Sequence, residues 1–148
     1  METFSRPGKD EYFLLIADMA ALRSTCIRRR AGCVLVDSKN HIVATGYNGG
    51  PSGFPHCLDK PCEGAFSESG TDLDRCLAIH CEINAFLQLR SDDDLIMYIT
   101  VTPCMSICAR VVCNSNVKRI VAREWYPQEG VEALFQQAGI SVEIKDGS

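Results

Sequence analysis

Apolar positions along the chain fall into short runs of two kinds. From Asp10 to Leu22 they recur at helical spacing, with Tyr12, Leu15, Ile16, Met19 and Leu22 as the apolar face of an opening helix. Cys33–Asp37 and His41–Thr45 are short apolar runs around Ser38-Lys39-Asn40, the pattern of a β-hairpin. Gly46 to Leu73 has no period and is rich in Gly, Pro, Ser and Asp. A loop that long in a compact domain is functional or is held by something else. Order resumes near Cys76, and Ile79, Ile83, Phe86 and Leu87 mark one face of a second helix ending before Ser91. Ile96–Val101 reads as a buried strand, and Thr102-Pro103 opens a third helix that runs to about Cys113. Val117–Ala122 is a strand, Glu129–Ala138 a helix and Ile140–Ile144 a last strand. This order predicts an α/β layered domain. Its alternating C-terminal half calls for parallel strands joined by right-handed crossovers.

Length and composition narrow the class. The 148 residues suit a single domain, 1–148. With 46% hydrophobic and 23% charged residues the chain is neither disordered nor collagen-like nor a coiled coil. No apolar run approaches ~20 residues, so no membrane span is expected. The N-terminus has no apolar core of a secretory signal. A net charge of -4 builds no field for polyanions, so neither nucleic acid nor membrane is expected as a partner.

Cysteine is the unusual feature of the composition. The chain has nine, at 26, 33, 57, 62, 76, 81, 104, 108 and 113. Without a secretion signal the expected location is cytoplasmic, where disulfides do not persist. Thiolate metal ligands, together with a few buried structural cysteines, are the better reading. Cys33 and Cys113 read as small core hydrophobes.

Two motifs carry chemistry: His80-Cys81-Glu82 at the start of the second helix, and Pro103-Cys104-Met105-Ser106-Ile107-Cys108 at the start of the third. Helix starts present free N–H groups and a positive dipole end, which favour thiolates. Cys104 and Cys108, four apart, are expected on one helix face. His80, Cys104 and Cys108 supply three zinc ligands and leave a fourth position open, as in catalytic zinc sites. Glu82, two residues on, is expected to point away from the His80 direction and to serve as proton shuttle rather than ligand. The other reading of the three ligands is a structural zinc site or plain core residues.

These residues resemble the zinc-dependent cytidine deaminase superfamily, whose signature is H-x-E…P-C-x-x-C. Ser24-Thr25-Cys26-Ile27-Arg28-Arg29-Arg30-Ala31-Gly32, Gly46-Tyr47-Asn48-Gly49 and Ile79–Ala85 are together most similar to deoxycytidylate (dCMP) deaminases. The resemblance implies a three-layer α/β/α cytidine-deaminase-like fold with a five-stranded mixed sheet in the order 2-1-3-4-5. It implies hydrolytic deamination of dCMP to dUMP and ammonia, supplying dUMP for thymidylate synthesis. Water attacks C4 of the cytosine, and Glu82 passes its proton to N3 and the departing amino group. Activation by dCTP, inhibition by dTTP and a homohexamer are implied as well. Two positions depart from the family pattern. Three residues rather than two separate Cys104 and Cys108, so an irregular first turn is expected. Cys81 replaces the usual alanine; by resemblance its backbone carbonyl receives the substrate amino group.

For the substrate, the resemblance implies a hydrogen bond from Asn48 near sugar and base, although Asn-Gly alone would mean only a tight turn. Gly46, Tyr47, Asn48 and Gly49 open the loop associated with effector nucleotides. The Arg28-Arg29-Arg30 run is either a solvated face or a phosphate site, with Arg30 the first choice. Thr102 and Tyr126 are expected at the substrate; the other reading of Tyr126 is a half-buried cap on the core. A second, structural zinc is expected on Cys26, Cys57, Cys62 and Cys76, with His56 as substitute. Cys26 and Cys57 come from the resemblance, and Cys62 and Cys76 complete a closed tetrahedron. Competing functions are another deaminase of the superfamily, acting on dCTP, free nucleoside or tRNA, and a non-catalytic zinc or nucleotide scaffold.

Overall fold

The computed structural model describes residues 3–68, 71 and 75–147. The elements run α1 (Lys9–Ala21), β1 (Gly32–Val36), β2 (Ile42–Tyr47), α2 (Cys81–Gln88), β3 (Leu95–Val101), α3 (Cys108–Cys113), β4 (Val117–Glu124), α4 (Val131–Gln137) and β5 (Ser141–Ile144). One five-stranded sheet has the order β2-β1-β3-β4-β5. β1 is antiparallel to both β2 and β3, and β3, β4 and β5 run parallel. No described helix is long and apolar enough to cross a membrane.

The hairpin turns where its polar residues dictate. Asp37 Oδ1 accepts from the backbone N–H groups of Lys39 and His41, and Asn40 takes the left-handed φ of 65° that an asparagine tolerates. β1 is buried at every position, and β3 nearly so, because helices cover both faces of the sheet centre. Alternate residues serve the two layers. Cys33, Leu35, Met97, Ile99, Ile120 and Ala122 face the layer that holds Ala85, Ala109, Val112 and Phe135. Val34, Val36, Tyr98 and Val121 face Phe13, Leu14 and Ala17 of α1.

The apolar stripe expected on α1 is not the face it buries. Phe13, Leu14, Ala17 and Ala21 pack inward, whereas Tyr12, Leu15, Met19 and Leu22 are 45–64% exposed and Ile16 is half-buried. The reason lies in Gly32. A Cβ there would sit 2.1 Å from the Ala17 carbonyl oxygen. Backbone meets backbone at this crossing, so the helix must present its small residues. Charge then fixes the helix on β4. Arg123 pairs with Glu11 at 2.9 Å and Asp18 at 2.8 Å, and Arg119 pairs with Asp10 at 2.7 Å.

The same rule displaces the expected face of α2. A Cβ on Gly46 would sit 2.2 Å from the Cys81 carbonyl oxygen, and α2 buries Cys81, Glu82 and Ala85 there. Ile79, Ile83, Phe86 and Leu87 instead line a groove shared with Ile107 and Val111. The long loop is irregular from Asn48 to His80 wherever it is described; Leu73, its expected end, lies outside the described residues. Its two ends are tied by paired backbone bonds between Gly49 and Ile79, at 2.8 and 3.2 Å.

Candidate active site

Strand register gathers the chemistry at one edge. Gly32 pairs with Tyr47 and Cys33 with Ile99, which brings the start of β1 to the C-terminal ends of β2 and β3. Thr102, just past β3, receives a 2.7 Å hydrogen bond on its Oγ1 from the Tyr126 N–H, just past β4. Its own N–H donates to the Glu124 carbonyl at 3.0 Å. The two loops that leave the parallel strands are thus clamped together, at the edge where α/β sheets place their sites.

His80 is the N-cap of α2, with extended backbone angles (φ −69°, ψ 154°). Its Nδ1 lies 3.4 Å from Cys104 Sγ and 3.1 Å from Cys108 Sγ. Glu82, in the first turn, is 3% exposed and brings Oε1 to 3.7 Å from the same nitrogen. The expectation that Glu82 points away from His80 therefore fails. His80 is not yet in the helix, so helical angular spacing does not separate the two side chains. The expected irregular turn between the cysteines is present. The Ala109 N–H donates to the Cys104 carbonyl at 2.9 Å, five residues back, and regular α-helix begins only at Cys108. Cys104 and Cys108 accordingly meet through a wide turn rather than on one helix face.

The electrostatics tie these groups together. The Cys104 thiol is pushed down to about 3, chiefly by the hydrogen bond it accepts from Cys108. Cys108 keeps that proton and is raised, and burial raises it further. His80 is raised by its bond to Cys104, against the effect of burial. Burial raises Glu82, and its Oε1 is buried without a hydrogen-bond partner. Among the described residues, His80, Cys104 and Cys108 form the group whose ligand atoms all lie within 4.8 Å of one another. One nitrogen and two sulfurs are a zinc donor set, and a divalent ion would release the protons they share. The orphaned Glu82 oxygen beside them is where a water or a substrate nitrogen would find its partner.

A cavity of about 330 Å³ opens over this group, lined by His80, Cys104 and Glu82 together with Asn48, Thr102 and Tyr126. Asn48 is largely committed to the fold. Its Oδ1 accepts from the Ala31 N–H at 2.8 Å, and its Nδ2 donates to the Arg29 carbonyl at 2.6 Å. One amide hydrogen remains for a ligand. Tyr126 is half-buried, with the Arg29 guanidinium 5.6 Å from its ring centre. Arg28 and Arg29 line the cavity; Arg30, the expected phosphate contact, is exposed and does not. Cys81, whose backbone carbonyl is expected to receive an amino group, lines the cavity, and that carbonyl also lies against Gly46. A carbonyl in the first turn of a helix points along the axis to the N–H four residues on, here Ala85. Gly46, Tyr47 and Gly49 are not among the cavity's lining: Gly46 packs on α2, Tyr47 offers its carbonyl to Asn84, and Gly49 pairs with Ile79. Phe66, 83% exposed, lines the cavity from the long loop, and nothing in its sequence neighbourhood marks it.

Cys26, Cys57, Cys62 and Cys76 all line a second cavity, with Cys57 Sγ 3.9 Å from Cys62 Sγ. The four converge less tightly than the first set, and exposed His56 is not in the lining.

A family model described as the cytidine and deoxycytidylate deaminase zinc-binding region matches residues 7–124. A deoxycytidylate deaminase of Schizosaccharomyces pombe is 38% identical over 93% of this chain, which spans only 44% of that protein's length. A deoxycytidylate deaminase of Mycobacterium phage D29 is 39% identical over 84% of this chain and 98% of its own. The crystal structure of a cyanophage S-TIM5 dCMP deaminase in complex with dCMP and dUMP superposes with a TM-score of 0.75 at 24% identity, over 96% of this chain and all of that one, and shares the fold. With a His-Cys-Cys centre at the sheet edge, a buried glutamate beside it and this match, the chain belongs to the cytidine and deoxycytidylate deaminase family.

Proposed function

We propose that the protein deaminates dCMP hydrolytically to dUMP and ammonia. The observation that carries the reading is the buried, unpartnered Glu82 Oε1, 3.7 Å from His80 Nδ1 inside the cavity that His80 and Cys104 line. His80, Cys104 and Cys108 would hold a zinc ion, which lowers the pKa of water toward ~7 when bound. Glu82 takes the proton of the attacking water as the oxygen bonds to C4. It passes that proton to N3, then takes the second proton from the new C4 hydroxyl and delivers it to the amino group, so that C4=O forms, the C4–N bond breaks, and ammonia leaves. Burial suits Glu82 to this work, because a raised carboxyl holds a proton readily and releases it again. The identity with phage and fungal deoxycytidylate deaminases supports dCMP as the substrate. Purified protein offered dCMP, dCTP, deoxycytidine and cytidine tests this by loss of cytosine absorbance. Preferred loss with dCMP is expected, and no loss with any of the four overturns it.

Further parts of the reading start from the sequence. The enzyme acts in the cytoplasm and feeds thymidylate synthesis. It is a homohexamer. dCTP activates it and dTTP inhibits it through the Gly46–Gly53 loop. A second zinc, structural rather than catalytic, sits on Cys26, Cys57, Cys62 and Cys76; their shared cavity supports this last part.

A further inference from the structure

We infer that the Cys81 thiol is a positioning residue for the reaction: it holds one carboxylate oxygen of Glu82 so that the other is presented to the zinc ligands and the cavity. The inference rests on the reading of Glu82 as proton carrier and names the group that orients it. The two oxygens of Glu82 have unlike surroundings. Oε1 is buried with no hydrogen-bond partner and stands 3.7 Å from His80 Nδ1. Oε2 accepts from Cys81 Sγ at 3.5 Å, in a bond that is itself buried. The last torsion of a glutamate is soft, so a carboxylate without an anchor turns about it. Holding one oxygen removes that freedom and fixes where the other points, and the rate of a proton transfer depends on such placement.

The thiol is held in its turn. Cys81 is 1% exposed, and Cys33 of β1, with which it is in hydrogen-bonding contact, is fully buried. A thiol both donates and accepts, so Cys33 can donate to Cys81 while Cys81 donates to Glu82. Cys108 also reaches the Glu82 carboxylate. A zinc ligand binds as a thiolate, however, and has no proton to give. Cys81 stands outside the group of ligand atoms formed by His80, Cys104 and Cys108, and its donor survives metal binding. The alanine usual at this place in the family pattern would offer no donor at all.

The test uses the zinc-loaded full chain. Infrared spectroscopy reads the bond without turnover, because the S–H stretch lies where no other protein group absorbs and zinc-bound thiolates do not contribute to it. A hydrogen-bonded S–H absorbs at lower frequency, so one S–H band should move upward in Glu82→Ala. The same band should be missing from Cys81→Ala. Assays with dCMP then read the function. An ordinary hydrogen bond corresponds to about 3- to 10-fold in rate. Cys81→Ala should lower kcat by that factor, with KM, dUMP affinity by calorimetry and zinc content as in wild type. Cys81→Ser keeps a donor and should recover most of the rate. An S–H spectrum that does not respond to Glu82→Ala overturns the inference, and this arm needs no Cys81 variant to fold. An unchanged kcat in Cys81→Ala overturns it as well. So does a joint loss of kcat, KM and zinc that serine does not restore, which is the mark of packing alone. Wild-type turnover by Glu82→Ala would remove the proton-carrier reading and the role of Cys81 with it; the S–H band would still report the bond, which tells the two failures apart.

Discussion

Glu82 Oε1 stands 3.7 Å from His80 Nδ1 because the two residues straddle a helix boundary: His80 is extended and Glu82 is in the first turn. The two side chains are thereby held against one another by three consecutive residues, with no tertiary contact needed to set their spacing. Glu82→Ala should keep the fold and the zinc and lose about 10²- to 10⁴-fold in deamination rate. Turnover near that of wild type would show that the carboxylate carries no proton. Zinc content by elemental analysis separates this from loss of the metal.

Gly46 should be intolerant of any side chain. An alanine there would drive its Cβ into the Cys81 carbonyl and the Ala85 N–H of α2, at 2.2 and 2.7 Å. Overpacking of this kind costs about 1–3 kcal/mol. Since α2 also carries Glu82, activity should fall along with the urea midpoint. Gly53→Ala is the comparison, because nothing lies within 4 Å of its Cβ position and only its φ of 86° opposes the change.

Acid should loosen α1 before the rest of the molecule. Asp10 is held below its ordinary value of 3.8, chiefly by the hydrogen bond from Arg119. A carboxyl depressed in the folded state stabilises above its unfolded value and loses that contribution as pH falls through the lower, folded one. Thermal midpoints should therefore hold between pH 7 and about 5 as far as this group is concerned, and drop below about 4. Asp10→Asn should lower the plateau and flatten the acid limb. An unchanged pH profile in that variant would assign the acid sensitivity elsewhere.

Two zinc ions per chain are expected by elemental analysis of the wild type, and one in Cys57→Ser, with a lower melting temperature and a loop more open to proteolysis. A wild type with a single zinc that disappears on Cys104→Ser would reject the second centre.

That His80, Cys104 and Cys108 converge was legible in the sequence, because a His and two Cys at this spacing leave few other uses, although Cys104 lies in a turn ahead of α3 rather than on it. Sheet order was legible from the alternation of strand and helix together with the resemblance. The buried faces of α1 and α2 were not. Hydrophobicity singled out Leu15, Met19 and Leu87, but the deciding residues were Gly32 and Gly46 on the opposing strands, which admit backbone and ask for small residues in return. The arginine run was ambiguous for a different reason. Ile27 and Arg28 lie in a bend ahead of β1, where no strand period tells which of three identical side chains turns toward the cavity. Phe66 reaches the cavity from a segment with no periodicity at all.

The five-residue hydrogen bond from Ala109 back to Cys104 has a consequence for how such proteins drift. The distance between the two thiols is set by a turn that closes on itself, and the helix that follows starts afresh at Cys108. An inserted residue is absorbed as a wider loop of backbone and is not passed on as a rotation of everything downstream. With three residues between the thiols, α3 still packs Ala109 and Val112 into the core of the sheet. A search that demanded two residues between the cysteines would discard chains whose metal-binding geometry is intact.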